Sequence, residues 1–173
     1  MSFSKNGKKT SLSYFDDYVS WPADQSEKVE ISNAELVYVG YGIQAPEEDW
    51  DDFKGMDVSG KILVFKNNDP EYDEDLFGGF TRLYYGRYTY KFEKAKELGA
   101  LGAILIHTTK TAGYGWSVVS NSWSNERFNV KEEGGSENRG GRKGGGEGGY
   151  LRPLATAAGQ RAAGPDFGTA RVG

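Results

Sequence analysis

His107 is the only histidine among 173 residues, and cysteine is absent. A chain without cysteine has neither a disulfide framework nor a thiolate metal site. His107 closes the apolar run Ala103, Ile104, Leu105, Ile106, and an imidazole at the end of a buried strand is more often a hydrogen-bonded structural residue than a ligand. Two groups of carboxylates invite a metal reading. Glu47, Glu48, Asp49, Asp51 and Asp52 have the oxygen density that calcium favours, but they lack the alternating spacing and the glycine of a calcium loop. Asp69, Glu71, Asp73, Glu74 and Asp75 read as solvated loop charges whose repulsion keeps the loop extended. These acids sit in loops without a partner suited to acid and base work, and no glycine-rich stretch carries the Gly-Lys-Ser/Thr of a phosphate loop. The expectation is therefore no catalytic residue, no metal ligand and no cofactor site in this chain.

Recognition is better provided for. Arg87 follows Gly86 at the start of a helical stretch, where its guanidinium can pair with a loop carboxylate or touch a neighbouring domain. Tyr114, Gly115 and Trp116 form a second candidate contact, because rigid aromatics beside glycines present apolar area at low entropic cost.

The elements that must position these groups are legible in part. In residues 84–107, YYGRYTYKFEKAKELGALGAILIH, apolar side chains at Tyr88, Phe92, Ala95 and Leu98 have helical spacing, and Lys91, Glu93, Lys94, Lys96 and Glu97 are expected to point elsewhere. This predicts an amphipathic helix over 89–98, with Thr89 as its cap and Gly99 as its stop. The run 103–106 then predicts a strand covered on both faces, so helix and strand together read as a parallel crossover. Further buried strands are expected within 29–41, densest from Leu36 to Val39, and at 61–66, KILVFK. Residues 12–19 predict an edge strand or an irregular entry segment, Pro46 a short helical turn, 67–80 a long acidic loop, and 116–119 a short strand.

Composition divides the chain. Up to Glu133 there are 22 acidic and 15 basic side chains, net −7; from Gly134 on there are 3 and 6, net +3. Residues 134–173 are rich in Gly, Arg and Ala and show no periodicity, so they cannot offset their ordering entropy. That tail is expected to be disordered, or to be the product of a shifted reading frame. The single stretch RGGRKGGG within it is too short to argue for RNA, and no nucleic acid partner is expected. The expected organisation is an extension at 1–10, a folded domain at 11–133 and the tail at 134–173. No apolar stretch is long enough for a membrane span, and the basic start lacks the apolar core of a signal peptide.

The order of segments resembles a known family. AELVYVGYGIQAPEEDWDDFKGMDVSGKILVFKNNDP, then YYGRYTYKFEKAKELGALGAILIH and AGYGWSVV, is similar to the protease-associated (PA) domain inserted in M28-family zinc aminopeptidases. The similarity covers residues 11–128. It is carried by Val39-Gly40-Tyr41-Gly42, by Trp50-Asp51-Asp52-Phe53, by the approach from Asp57 to Lys61, by Tyr85-Gly86-Arg87 and by the helix through Lys91 and Ala100. The resemblance implies an α+β fold, an open β-sandwich or barrel with flanking helices of the swivelling β/β/α type. It implies a non-catalytic lid or docking module whose partners are an M28-like peptidase domain and its peptide substrates, and a secreted or cell-envelope setting. The family's paired zinc ions belong to the separate peptidase domain, and a pair with two histidine ligands cannot be built from His107 alone. The alternative is a free-standing module that binds peptides or proteins.

Overall fold

Ile62, Leu63, Val64 and Phe65 are each completely buried, and a strand buried on both faces and paired on both edges must lie inside a sheet. The computed structural model describes residues 1–21, 29–79 and 81–125, and the backbone of 170–172. In it Ile62–Lys66 is strand β6, numbering along the chain after β1 (Ser2–Lys5), β2 (Lys8–Ser11), β3 (Ala34–Tyr38), β4 (Gln44–Ala45) and β5 (Trp50–Asp51). Helix α1 (Tyr88–Glu97), strand β7 (Gly102–Ile106), helices α2 (Thr109–Ala112) and α3 (Trp116–Trp123) and strand β8 (Ala170–Val172) follow.

β6 pairs in parallel with β3, Leu36 opposite Ile62, and with β7, Ile62 opposite Gly102. Helix α1 links β6 to β7, so the expected parallel crossover is present. On its other edge β3 pairs antiparallel with β8, which in turn pairs with β1. The resulting order is β2-β1-β8-β3-β6-β7, with β4 and β5 as a separate two-stranded ribbon. The fold is α+β, and among the described strands the sheet stays open. The first ten residues, set apart in the sequence as an extension, belong to this sheet: β1 and β2 form a hairpin around Asn6 and Gly7, both at positive φ (50° and 76°), the backbone that tight hairpin turns require. Of the expected tail, all but the β8 backbone lies outside the described residues.

Alternate residues of each central strand serve opposite faces. Val37, Leu63, Phe65 and Ala103 pack with Ala95 of α1 and with Phe53 and Val58. Leu36, Ile62, Val64 and Ile104 form the core of the other face. A third cluster, Ile43, Ala45, Phe77 and Tyr90, joins the β4–β5 ribbon to α1. Gly42, just before the ribbon, lies close against β6: at φ +61°, a Cβ there would lie 2.2 Å from the Phe65 ring.

Several expectations are corrected. Residues 116–119 are not a strand but the first half of α3. Trp116, Val119 and Trp123 recur at helical spacing, Val119 is buried, and Trp123 stacks on Trp21 at 4.3 Å, so tertiary packing overrides the local β preference of two adjacent valines. Helix α1 starts at Tyr88 with Arg87 as its cap residue, two positions before the expected cap Thr89. Its buried side is rotated as well. Lys91, expected to face water, is fully buried with Tyr90 and Ala95, while Tyr88 is 44% exposed. Gly99, at φ +69°, does end the helix, its N–H donating to Lys96. Within 12–19 the backbone is irregular, with a single bridge between Tyr14 and Tyr18.

Candidate functional site at the carboxyl ends of β6 and β7

Three parallel strands end on one rim, and the loops leaving β6 and β7 are tied together there. Asn68, two residues beyond β6, adopts the left-handed conformation (φ +69°) that asparagine tolerates better than most residues. Its amide Nδ2 donates 2.7 Å to the carbonyl of Thr111 in α2, and Arg82 donates to the same oxygen at 3.0 Å. Buried Asp69 accepts the backbone N–H of Leu83 at 3.2 Å. Gly86 completes that contact, since a Cβ on it would meet Asp69 Oδ2 at 3.0 Å and Arg82 Cγ at 2.8 Å. The Tyr85-Gly86-Arg87 sequence is thus shaped by the Asp69 carboxylate beneath it.

Lys91 lies under this rim. Its ammonium sits 5.6 Å from the Tyr90 ring centroid and 6.0 Å from that of Tyr41, and among the described residues Nζ has no hydrogen-bond partner. Burial drives its pKa down to about 7, against the partial upward pull of the Asp69 and Asp52 charges. Nothing in the local pattern of α1 marks this residue, because the Tyr41 ring and the Asp52 and Asp69 charges that act on it come from elsewhere in the chain.

The loop after β7 carries the expected contact residues. Thr108 caps α2, accepting Thr111 N–H at 3.2 Å, and Gly113 at φ +79° ends it. Tyr114 follows, 46% exposed. His107 is 5% exposed; its Nε2 lies 3.0 Å from the Tyr114 carbonyl, and its ring centroid is 5.3 Å from that of Tyr114 and 6.1 Å from that of Trp116. Burial lowers the His107 pKa below its ordinary value, only partly offset by that hydrogen bond, so the ring is neutral at neutral pH and Nε2 carries the proton it donates. Trp116 is half-buried, its indole N–H donating 2.9 Å to Phe15 O. Gly115, extended at φ −77° and ψ 169°, is the cap residue of α3. The loop therefore divides its two aromatics between two jobs: Trp116 anchors, Tyr114 projects.

Arg87 is exposed beside Tyr84 and forms no ion pair with a carboxylate among the described residues. It does not line the cavity that Tyr114 borders; its neighbour Tyr88 does. Tyr88, Phe92, His107, Tyr114, Trp21 and Trp123 line a cavity of about 70 Å³. Trp21 and Trp123 are more than 100 positions apart, so only the folded chain brings them together.

Three of the loop carboxylates accept backbone N–H groups. Asp52 Oδ2 accepts Ile43 N–H at 3.0 Å, Asp51 Oδ1 accepts Phe53 N–H at 2.8 Å, and Asp73 Oδ1 accepts Asp75 N–H at 3.0 Å. Glu47 accepts the Tyr85 hydroxyl, which pushes the Tyr85 pKa up to about 12 and lowers that of Glu47. Among the described residues no three or more His, Asp or Glu converge on a common centre, and no helix is long and apolar enough to cross a membrane. No protein-family model, curated protein or solved structure matches this chain.

Proposed function

We propose that the described body is a PA-type domain, a non-catalytic lid or docking module for an M28-like zinc aminopeptidase, with Tyr114 as its foremost contact. One observation carries the reading: the rim at the carboxyl ends of β6 and β7 is cross-tied through the Thr111 carbonyl and His107, and it holds an exposed Tyr114 on a glycine-flanked loop. A rigid base with one projecting aromatic suits the positioning of a partner or peptide. The α+β sheet with its β6-α1-β7 crossover is compatible with the fold that the sequence motifs imply. Zinc chemistry belongs, on this reading, to the peptidase domain. The experiment pairs an activity assay with a binding assay. Purified chain is expected to leave an aminoacyl chromogenic substrate intact with or without added zinc, and to bind an M28-type peptidase domain lacking its own insert. Chelator-sensitive turnover by the chain alone, or no binding in the second assay, overturns the proposal.

A free-standing peptide- or protein-binding module is the second reading. It is favoured by β8, which lies between β1 and β3 and supplies the chain's own strand at the middle of the sheet.

A further inference from the structure

Five aromatic side chains from four separate stretches meet at the 70 Å³ cavity: Trp21, Tyr88 and Phe92 of α1, Tyr114, and Trp123 of α3. Their planes are not arranged as one continuous stack. Trp21 and Trp123 are nearly parallel at 20°, whereas Phe92 stands at 89° to Trp21 and Tyr88 at 83° to Trp123. The Trp21–Trp123 stack is thus one wall of the cavity, and Phe92 and Tyr88 meet it at nearly right angles. The π-face of each aromatic ring is electron-rich, so an enclosure of several rings attracts a cation that is large, weakly hydrated and without N–H groups to satisfy. Among the described lining residues there is no carboxylate to demand a hydrogen-bonding ammonium and no ammonium to repel a cation; the polar groups are the neutral Asn67 and His107. The surrounding sequence adds a favourable field, net −7 up to Glu133.

We propose that this cavity is an aromatic cage for a methylated ammonium group, the headgroup chemistry shared by choline and by trimethylated lysine. Tyr88 and Tyr114, which line it, are 44% and 46% exposed, so a headgroup reaches the rings from solvent. The nearby neutral imidazole leaves the cation unopposed at neutral pH. The inference stands apart from the docking role: Tyr114 belongs to both, but Trp21, Tyr88, Phe92 and Trp123 belong to the cage.

The test is a titration of the full chain with choline and, in parallel, with 3,3-dimethylbutan-1-ol, in which carbon replaces the charged nitrogen at the same shape. Tryptophan fluorescence and saturation transfer to the N-methyl protons report binding. Choline is expected to bind in about the millimolar range, and the neutral isostere roughly tenfold more weakly. Trp123→Leu and Tyr88→Leu keep an apolar side chain but remove a ring; each is expected to weaken choline at least several-fold, and exposed Tyr88 serves where the tryptophan variant fails to fold. A second arm compares a short trimethyllysine peptide with its unmethylated form, and whichever of choline and methylated peptide binds more tightly identifies the carrier. Equal binding of choline and its neutral isostere, binding unaffected by Tyr88→Leu, or no binding of either methylated probe overturns the proposal. Loss of the peptidase interaction in a Tyr114 variant that still binds choline leaves the cage intact and separates the two functions.

Discussion

Asn68 and Thr111, forty-three positions apart, are joined by a 2.7 Å hydrogen bond from the Asn68 amide to the Thr111 carbonyl. That bond fastens the loop after β6 to the helix after β7, and Arg82 shares its acceptor. Asn68 is 2% exposed, so its replacement removes from inside the fold the shorter of the two hydrogen bonds that the Thr111 carbonyl accepts. Asn68→Leu is expected to cost about 1–3 kcal/mol, read as a lower urea midpoint with unchanged slope, and to quicken amide exchange in 109–115 more than in β6.

Tyr114 and Trp116 are expected to respond oppositely to truncation. Tyr114→Ser removes an exposed side chain and should change stability by less than about 0.5 kcal/mol while abolishing binding to the peptidase domain. Trp116→Ala removes packing and the bond to Phe15, and should cost about 2–4 kcal/mol. Paired denaturation and binding measurements separate the anchor from the contact; equal destabilisation by both would remove Tyr114 from the role given to it.

Lys91 makes stability depend on pH in a defined direction. Its folded pKa is depressed to about 7 from an ordinary 10.5, so between these values the unfolded chain holds a proton that the folded chain lacks. Raising the pH from about 7 toward 10 therefore stabilises the fold, and below about 7 the contribution of this group is flat. The full depression corresponds to about 5 kcal/mol, an upper limit. Lys91→Met is expected to flatten this slope and to raise the unfolding midpoint at pH 7. The raised pKa values of Tyr41, Tyr84 and Tyr90 act the other way only near and above pH 10.

His107 acts on the acid side. Its folded pKa is lowered from 6.5 by burial, so as the pH falls below about 6.5 the unfolded chain takes the proton first and stability declines. His107→Gln keeps a donor toward the Tyr114 carbonyl but cannot titrate. It is expected to reduce the loss of stability between pH 6.5 and 5 and to leave the steeper carboxylate transition below that range in place.

Gly42 offers a steric test of the join between ribbon and sheet. With φ at +61° and the Phe65 ring 2.2 Å from the site of a Cβ, Gly42→Ala combines left-handed strain with overpacking against the most buried strand. The expected cost is about 2–5 kcal/mol, measured by chemical denaturation. A change below about 1 kcal/mol would show that the ribbon yields easily.

What the sequence makes legible here is what neighbouring residues decide. The runs at 61–66 and 103–106, the periodicity through Ala95 and the stop at Gly99 are local signals, and β6, α1 and β7 stand close to where those signals place them. Trp116 to Val119 misleads because four residues do not span enough of a helix to reveal its period, and the partner that settles the matter, Trp21, lies far back in the chain. Lys91 is a sharper case. A lysine between Tyr90 and Phe92 looks like part of a solvated face, and the Tyr41 ring and the Asp52 and Asp69 charges that act on it come from elsewhere in the chain. The aromatic cage is illegible for the same reason: no short window contains more than two of its rings.

The sheet order also bears on how the chain reaches this state. β1 meets β2 across a two-residue turn, and β6 meets β7 across a single helix, so both halves of the sheet can assemble from contacts close in sequence. β8 stands between the halves, pairing Val172 with Phe3 on one side and Ala170 with Leu36 on the other. Loop-closure entropy rises with the length of chain enclosed and delays such contacts relative to local ones. The two halves therefore have every reason to form first and separately, and the three-residue strand that makes them one sheet is the joint that closes last.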